Sequence, residues 1–228
     1  MSELKNKIAV VLGGTGSLGG AIAEALEKEG MVVIKHGRKA GEYSADLAKD
    51  GELLRLLGHV VSKFGRIDIL VNSVSAPLTL SAFDKKTWDD FLNHLNIQLK
   101  SAVIASQFVL PEMAKRKFGK IVNIITSAVE GVPPSHMADY VTAKYALLGL
   151  TKALAKEHGR FGVTVSAVSP SLVKNDFTKT MPAKMIEILE AQSPSSRLVT
   201  PSDVAEAVLA QVKNFSQDVN GENIVVLP

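Results

Sequence analysis

Tyr140 and Lys144 stand four residues apart, a spacing that puts both side chains on one face of a helix, one turn from each other. A free phenol titrates near ~10 and is a poor proton donor or acceptor at neutral pH. An ammonium fixed beside it favours the phenolate, so Lys144 is expected to bring the Tyr140 pKa toward the working range. Ser127 lies thirteen residues before Tyr140 and follows the apolar run KIVNII, which reads as a strand. A strand end presenting a hydroxyl opposite a helix presenting Tyr and Lys would polarise a carbonyl oxygen. Many Tyr-x-x-x-Lys pairs do no chemistry, so the elements that position this one must decide.

The composition narrows the classes of function. With 46% hydrophobic and 21% charged residues in 228, the chain suits one folded domain and not a disordered one. Its net charge of +3 is spread along the chain without a basic stripe, so nucleic acid is not an expected partner. The absence of cysteine excludes thiolate catalysis, disulfides and cysteine-based zinc sites. The five histidines (His36, His59, His94, His136 and His158) show no metal-binding spacing, and no metal is expected. The N-terminus enters a strand within eight residues without an apolar leader, and no run of about 18 apolar residues exists. The expectation is a cytoplasmic protein that does not enter a membrane.

Along the chain, the buried-type strand Lys7–Leu12 runs into Gly13-Gly14-Thr15-Gly16-Ser17-Leu18-Gly19-Gly20, then a helix, then the strand MVVIK. Glycines suit such a turn because it is tight and a pyrophosphate must approach the backbone at the helix N-terminus. The spacing fits both Gly14-x-Gly16-x-x-Gly19 and Gly13-x-x-Gly16-x-x-Gly19, and its place between strand and helix makes it a dinucleotide signal. The candidate cofactor contacts here are Gly13, Thr15, Gly16, Ser17, Leu18 and Gly19. No acidic residue occurs between Met31 and Gly41 to accept from a ribose 2′-hydroxyl, whereas Arg38, with Lys35 or Lys39 nearby, suits a 2′-phosphate. The reading is NADP(H) in preference to NAD(H).

The later elements continue the alternation. Strands are expected at Ile67–Asn72, at KIVNII, at Phe161–Val168 and at Asn223–Leu227. Helices are expected to about Phe64, over Thr87–Met113 as one long element with Asn96 in its middle, over Tyr140–His158 and over Asp203–Val212. The fold class is α/β, a doubly wound parallel sheet of the Rossmann type. It forms a single domain over residues 1–228, with an irregular segment 171–196 as a candidate substrate lid.

With these motifs in order, the chain resembles the short-chain dehydrogenase/reductase family over essentially its whole length. It is nearest to the small single-domain subgroup that includes 3-oxoacyl-carrier-protein reductases. The glycine loop, Asp46-Leu47, Asn96 within LNI, Ser127, Tyr140-x-x-x-Lys144, the Pro170 turn and the late VNGENIVV strand carry the resemblance. It implies a catalytic set of Asn96, Ser127, Tyr140 and Lys144. It also implies cofactor contacts from Asp46 and Leu47 (adenine), Asn72, Tyr140, Lys144 (ribose hydroxyls) and Asn175. Asn96 would anchor a water linking Lys144 to solvent, and the partners would be a small carbonyl or alcohol substrate and further copies of the chain, as a homotetramer or homodimer.

The sequence departs from the family pattern at several places. Leu12 stands for the usual threonine of the loop and Ser17 for its middle glycine. Asn72-Ser73-Val74-Ser75 replaces Asn-Asn-Ala-Gly, Pro170-Ser171 replaces Pro-Gly, and Asn175 replaces a threonine. NIITS carries one residue more than the usual NISS, which leaves Thr126 as a second candidate hydroxyl, although the spacing to Tyr140 favours Ser127. The expected activity is hydride transfer between the cofactor and a carbonyl, with an apolar pocket drawn from Leu78, Leu80, Val129, Val132, Met137, Leu172, Phe177 and Met181. The alternatives are a nicotinamide-using lyase or epimerase and a non-catalytic dinucleotide sensor.

Overall fold

The apolar residues of the first strand, β1 (Ile8–Leu12), point alternately to two separate cores. Ile8, Val10 and Leu12 face one and Ala9 and Val11 the other, and all five are buried, as expected for a central strand covered on both faces. The computed structural model describes residues 4–39, 43–175, 178, 183–193, 195–214, 216 and 219–228. Six parallel strands form the sheet: β1, β2 (Val32–Lys35), β3 (Ile69–Asn72), β4 (Gly119–Ile124), β5 (Val163–Pro170) and β6 (Asn223–Val226). Their spatial order is β2-β1-β3-β4-β5-β6.

Helices α1 (Ser17–Lys28) and α7 (Pro201–Lys213) cover one face through Ile22, Leu26, Val204 and Val208. Helices α2 (Asp50–Phe64), α4 (Ser101–Lys115) and α5 (Ala138–His158) cover the other through Leu53, Leu57, Val109, Met113 and Ala155. The order reverses between β2 and β3 around β1. That reversal leaves a crevice beyond the carboxyl ends of the strands.

Two features differ from the sequence expectation. The long helix over Thr87–Met113 is interrupted: α3 (Trp88–His94) passes through a π-helical turn, Leu95–Lys100, before α4. An extra residue in a helix relieves the i→i+4 ladder locally, and such turns concentrate at functional sites. Here the turn carries Asn96. The segment 171–196 is not wholly irregular, because α6 (Ala183–Gln192) lies within it. Phe177 and Met181 lie outside the described residues.

Candidate active site

At the end of β1 the chain turns through Gly13, whose φ of +84° an L side chain rarely adopts; a Cβ there would also sit 2.5 Å from the Ser73 carbonyl oxygen. The turn is closed by backbone bonds from Gly14 to Val11, from Thr15 to His36 and from Gly16 to Gly13. It delivers the chain to α1, whose N-cap, Gly16, provides no side-chain acceptor. The first N–H groups of α1, beginning with those of Ser17 and Leu18, are therefore uncapped by any side chain and aligned with the positive end of the helix dipole.

Behind this loop lies His36, which the sequence reading left as an isolated histidine. It is buried, and the Gly13 N–H donates to its Nδ1 at 3.0 Å while its Nε2 meets the Ala45 carbonyl at 3.0 Å. Because the first partner is a donor and the second an acceptor, the ring is the neutral tautomer with its proton on Nε2. Burial pulls the His36 pKa below its ordinary value, consistent with that form. His36 thus joins the glycine loop to the strand-end segment after β2. No local pattern announces it; the only sequence signal is a histidine at the end of a buried strand.

The crevice is an open cleft of about 380 Å³ whose walls include Gly13, Thr15, Gly16, His36, Arg38, Asp46, Leu47, Ser73 and Ile97. Of the predicted cofactor contacts it brings together Gly13, Thr15, Gly16, Arg38, Asp46 and Leu47. Arg38 is exposed on this wall, whereas Lys35 is engaged with Glu27 at 3.0 Å, which leaves Lys39 as the nearer second cation. Gly37, also on the wall, has no room for a Cβ, which would lie 2.5 Å from Thr15 Oγ1.

Other predicted contacts sit elsewhere. Ser17 is exposed at the helix start, Leu18 packs into the core, and Gly19 is buried where a Cβ would collide with the Gly13 carbonyl. Asn72 is buried in the sheet, donating to Asn123 Oδ1 at 2.6 Å; Asn123 in turn donates to Thr151. Asn175 closes a local turn with Thr178. The residues present fit a dinucleotide: an uncapped helix N-terminus, a glycine cradle that Cβ atoms would fill, and an exposed guanidinium line one cleft. The buried Oγ of Ser73 and Oδ1 of Asn72 have no hydrogen-bond partner among the described residues.

The other end of the cleft reaches Ile97 in the π-helical turn, which packs against α5. Lys144 projects from α5 and is 3% exposed; its Nζ donates to the carbonyl of Ile124, the last residue of β4, at 2.8 Å. Burial pulls its pKa down to about 7. Tyr140, one turn earlier, has its ring centroid 5.7 Å from Lys144 Nζ. Burial pushes its phenol pKa above the ordinary value, and the Thr126 side chain pulls it down by less.

The expected lowering of the phenol pKa by Lys144 is thus not what dominates. Both groups favour their neutral forms because both are taken out of water. The Thr126 side chain acts on the Tyr140 phenol, and Ser127 is half-buried one residue further on, at the start of a 3₁₀ turn. Asn96 is half-buried in the π-helical turn. Among the apolar pocket candidates, Val129 belongs to a core cluster with Ile125 and Leu147, while Val132 and Leu80 are exposed. Among the described residues no group of three His, Asp or Glu side chains could hold a metal ion, and no helix is long and apolar enough to cross a membrane.

The comparisons with known proteins agree with this geometry. The family described as enoyl-(acyl carrier protein) reductase matches residues 13–226. A 3-oxoacyl-[acyl-carrier-protein] reductase of Rickettsia felis is 29% identical, over 99% of this chain and 97% of its own length. The reductase of that name from Vibrio cholerae is 30% identical over 98% and 97%. A subunit of (2S)-[(R)-hydroxy(phenyl)methyl]succinyl-CoA dehydrogenase from Thauera aromatica is 28% identical over 98% and 96%. Among solved structures, the ligand-free aldohexose dehydrogenase of Thermoplasma acidophilum superposes with a TM-score of 0.90 at 24% identity, covering 99% of this chain and 94% of that one, which bears on the fold. A glycine loop opening α1, an open cleft at the reversal of strand order, and a tyrosine–lysine pair on α5 occur here in a chain matched almost end to end, so the protein belongs to the short-chain dehydrogenase/reductase family of oxidoreductases.

Proposed function

We propose that the chain is an NADP(H)-dependent oxidoreductase that interconverts a carbonyl and a secondary alcohol, acting on 3-oxoacyl thioesters or other hydrophobic carbonyl compounds. The observation that carries this reading is the Tyr140 phenol. Burial keeps it protonated, the strand-end hydroxyl of Thr126 acts on it, and the buried Lys144 amine lies one helical turn away. When bound, the nicotinamide supplies or removes the hydride.

In the reductive direction Tyr140 donates its proton to the oxygen of the carbonyl as negative charge develops there. The hydroxyls of Thr126 and Ser127 are the two donors able to stabilise that oxygen. A phenol held above its ordinary pKa stays protonated at neutral pH and is ready to give. Lys144, with a pKa of about 7 before any ligand binds, takes both protonation states near neutrality. That suits it to return a proton to Tyr140 and to donate to ribose hydroxyls. Asn96, on the π-helical turn against α5, is assigned the link from Lys144 to solvent.

Arg38 supports the choice of NADP(H): it is exposed on the cleft wall where no carboxylate of β2 competes for a ribose hydroxyl. A homodimer or homotetramer built on the helices around Asn96 and Tyr140 belongs to the same proposal. Trp88 and Tyr145, both exposed, lie on those elements. The test is to titrate NADPH and NADH separately against the wild type and Arg38→Ala. The expected result is tighter NADPH binding in the wild type and a loss of about 10- to 100-fold for NADPH alone in the variant, as for a charge-assisted contact. Equal loss for both cofactors, or none, would assign Arg38 to the surface.

A further inference from the structure

Behind Tyr140 lies a group of ionisable side chains that the mechanism above does not use. Lys86 and Asp139 form an ion pair of 2.6 Å with both side chains 2% exposed, and Lys86 Nζ also donates to the Thr79 carbonyl at 2.7 Å. His94, the last residue of α3, is buried with its Nε2 3.7 Å from the same Asp139 oxygen. Gln98 donates from Nε2 to His94 Nδ1 at 2.8 Å, which puts the imidazole proton on Nε2, facing Asp139. The His94 ring then meets the Tyr140 ring edge-on, with centroids 5.8 Å apart and planes at 78°.

This arrangement is a poor choice for stability alone. Burying Lys86 and Asp139 costs desolvation that an ion pair recovers only with complete hydrogen bonding. Here Asp139 Oδ1 and Gln98 Oε1 are both buried without a partner among the described residues. An apolar cluster of the same volume would hold α3 against α5 at least as well. What the polar cluster does, and an apolar one would not, is fix the direction of one ring. The charges that face His94 are Asp139 and Lys144 on α5, Lys86 before α3 and Asp90 on its own helix. They act in opposite senses, and burial keeps the imidazole neutral.

We propose that His94, oriented by Gln98 and by the buried Lys86–Asp139 pair, is a positioning residue that holds the Tyr140 ring at one angle for proton transfer. The inference rests on the reading of Tyr140 as proton donor. A phenol packed in an edge-to-face contact loses the freedom to swing about its χ angles. Proton transfer needs that restriction, since displacement of a reacting group by an ångström is enough to lose about a hundredfold in rate. The same clamp reaches the cleft, because Lys86 holds the carbonyl of Thr79 in the segment that follows Ala76 and Pro77 on the cleft wall.

The test uses the full chain, with NADPH and acetoacetyl-coenzyme A as the probe substrate, and compares His94→Ala with His94→Phe. Loss of the ring should lower kcat by about 10- to 100-fold with the KM for NADPH within twofold. The phenyl ring, which restores the edge contact, should recover most of the rate. A second readout needs no turnover. The sequence has three tyrosines, so ¹³C-labelled rings give three resonance sets, and Tyr140→Phe assigns the one in question. Tyr140 ring flipping should be slow in the wild type, faster in His94→Ala and slow again in His94→Phe.

A His94→Ala protein with kcat within twofold of wild type, or with unchanged ring flipping, overturns the proposal. So does a His94→Phe protein as slow as His94→Ala. If His94→Ala fails to fold, the double variant Lys86→Met/Asp139→Asn, which removes both charges together, takes its place. Faster flipping in that protein supports the clamp and unchanged flipping overturns it. Absence of turnover in the wild type would count against the proposed function, while ring flipping would still decide this inference.

Discussion

At the glycine-loop end of the cleft, neutral groups hold the shape of the loop: the Gly13 N–H donates to the His36 ring, His36 to the Ala45 carbonyl, and the Thr15 N–H to the His36 carbonyl. At the α5 end, Lys144, Tyr140, Lys86, Asp139 and His94 are carried into the interior, and two side-chain oxygens there are left without partners. The contrast matches two different tasks. Holding a flexible dinucleotide requires a fixed backbone shape with free N–H groups, which glycines and one neutral histidine provide without buried charge. Moving a proton requires groups whose two protonation states are close in energy, and desolvation is what brings a lysine from its ordinary value to about 7. One end holds its shape with neutral groups; the other carries ionisable groups into the interior.

That contrast breaks most visibly at Lys144. Lys144→Met should lose about 10²–10⁴-fold in kcat, the size of an acid–base contribution, measured as consumption of reduced nicotinamide. The same protein should be more stable than wild type. A lysine whose folded pKa lies below its unfolded one contributes stability that is full above about 10.4 and is lost as pH falls toward 7. Removing the amine therefore stabilises most near pH 7, and the gain should vanish by about pH 10. The desolvation relieved is a few kcal/mol at most and the bond to Ile124 offsets part of it, so a net of about 1–3 kcal/mol is expected from thermal unfolding across pH. A destabilised Lys144→Met at pH 7 would mean that the buried amine is there for packing.

The two neighbouring hydroxyls sharpen the picture at the same end. The Thr126 hydroxyl pulls the phenol pKa down, so Thr126→Val should slow proton donation by Tyr140 by about tenfold. Ser127→Ala should cost more, about a hundredfold, if Ser127 turns its hydroxyl to the reacting oxygen as an oxyanion donor. The reverse order in kcat would transfer that role to Thr126.

At the glycine-loop end the effects fall on binding and not on rate. Gly37→Ala drives a Cβ to 2.5 Å from Thr15 Oγ1 and should weaken NADPH binding by about tenfold with kcat at saturation unchanged. Thr15→Ala, which removes both the hydroxyl at 2.5 Å and the methyl at 2.8 Å, should rescue it. The smallest expected effect is that of His36. Its folded pKa lies below 6.5, so its contribution to stability is full above that pH and is lost as pH falls below it, when the second ring proton displaces the Gly13 N–H. Wild type should therefore lose a few degrees of Tm between pH 7 and 5 that His36→Gln does not lose. Parallel pH profiles for the two would show that His36 does not latch the loop.

How much of this was legible in the sequence follows the same division. β1, the glycine turn and α1 depend on residues within about thirty positions, and Tyr140-x-x-x-Lys144 within five, so pattern and spacing place them. The π-helical turn at Asn96 packs against α5, a tertiary contact that local propensity does not encode. His36 meets Gly13 from 23 residues away, and Lys86 meets Asp139 from 53. Nothing in the neighbourhood of either residue marks the contact. Which of Thr126 and Ser127 faces the phenol depends on the rotation of the chain at the end of β4, which spacing alone does not set. Val129, expected in the pocket by composition, packs with Ile125 and Leu147 for the same reason.

The most direct test of the account compares the wild type with Tyr140→Phe in one pair of experiments: NADPH titration, then NADPH consumption on addition of acetoacetyl-coenzyme A. The account predicts equal NADPH affinity in both proteins, consumption equimolar with alcohol formed in the wild type, and at least a hundredfold slower consumption in Tyr140→Phe, about the lower bound for a lost general acid. Consumption at the wild-type rate without the phenol would contradict the assignment of Tyr140 as the proton donor, and with it the reading of the α5 end as the seat of the chemistry.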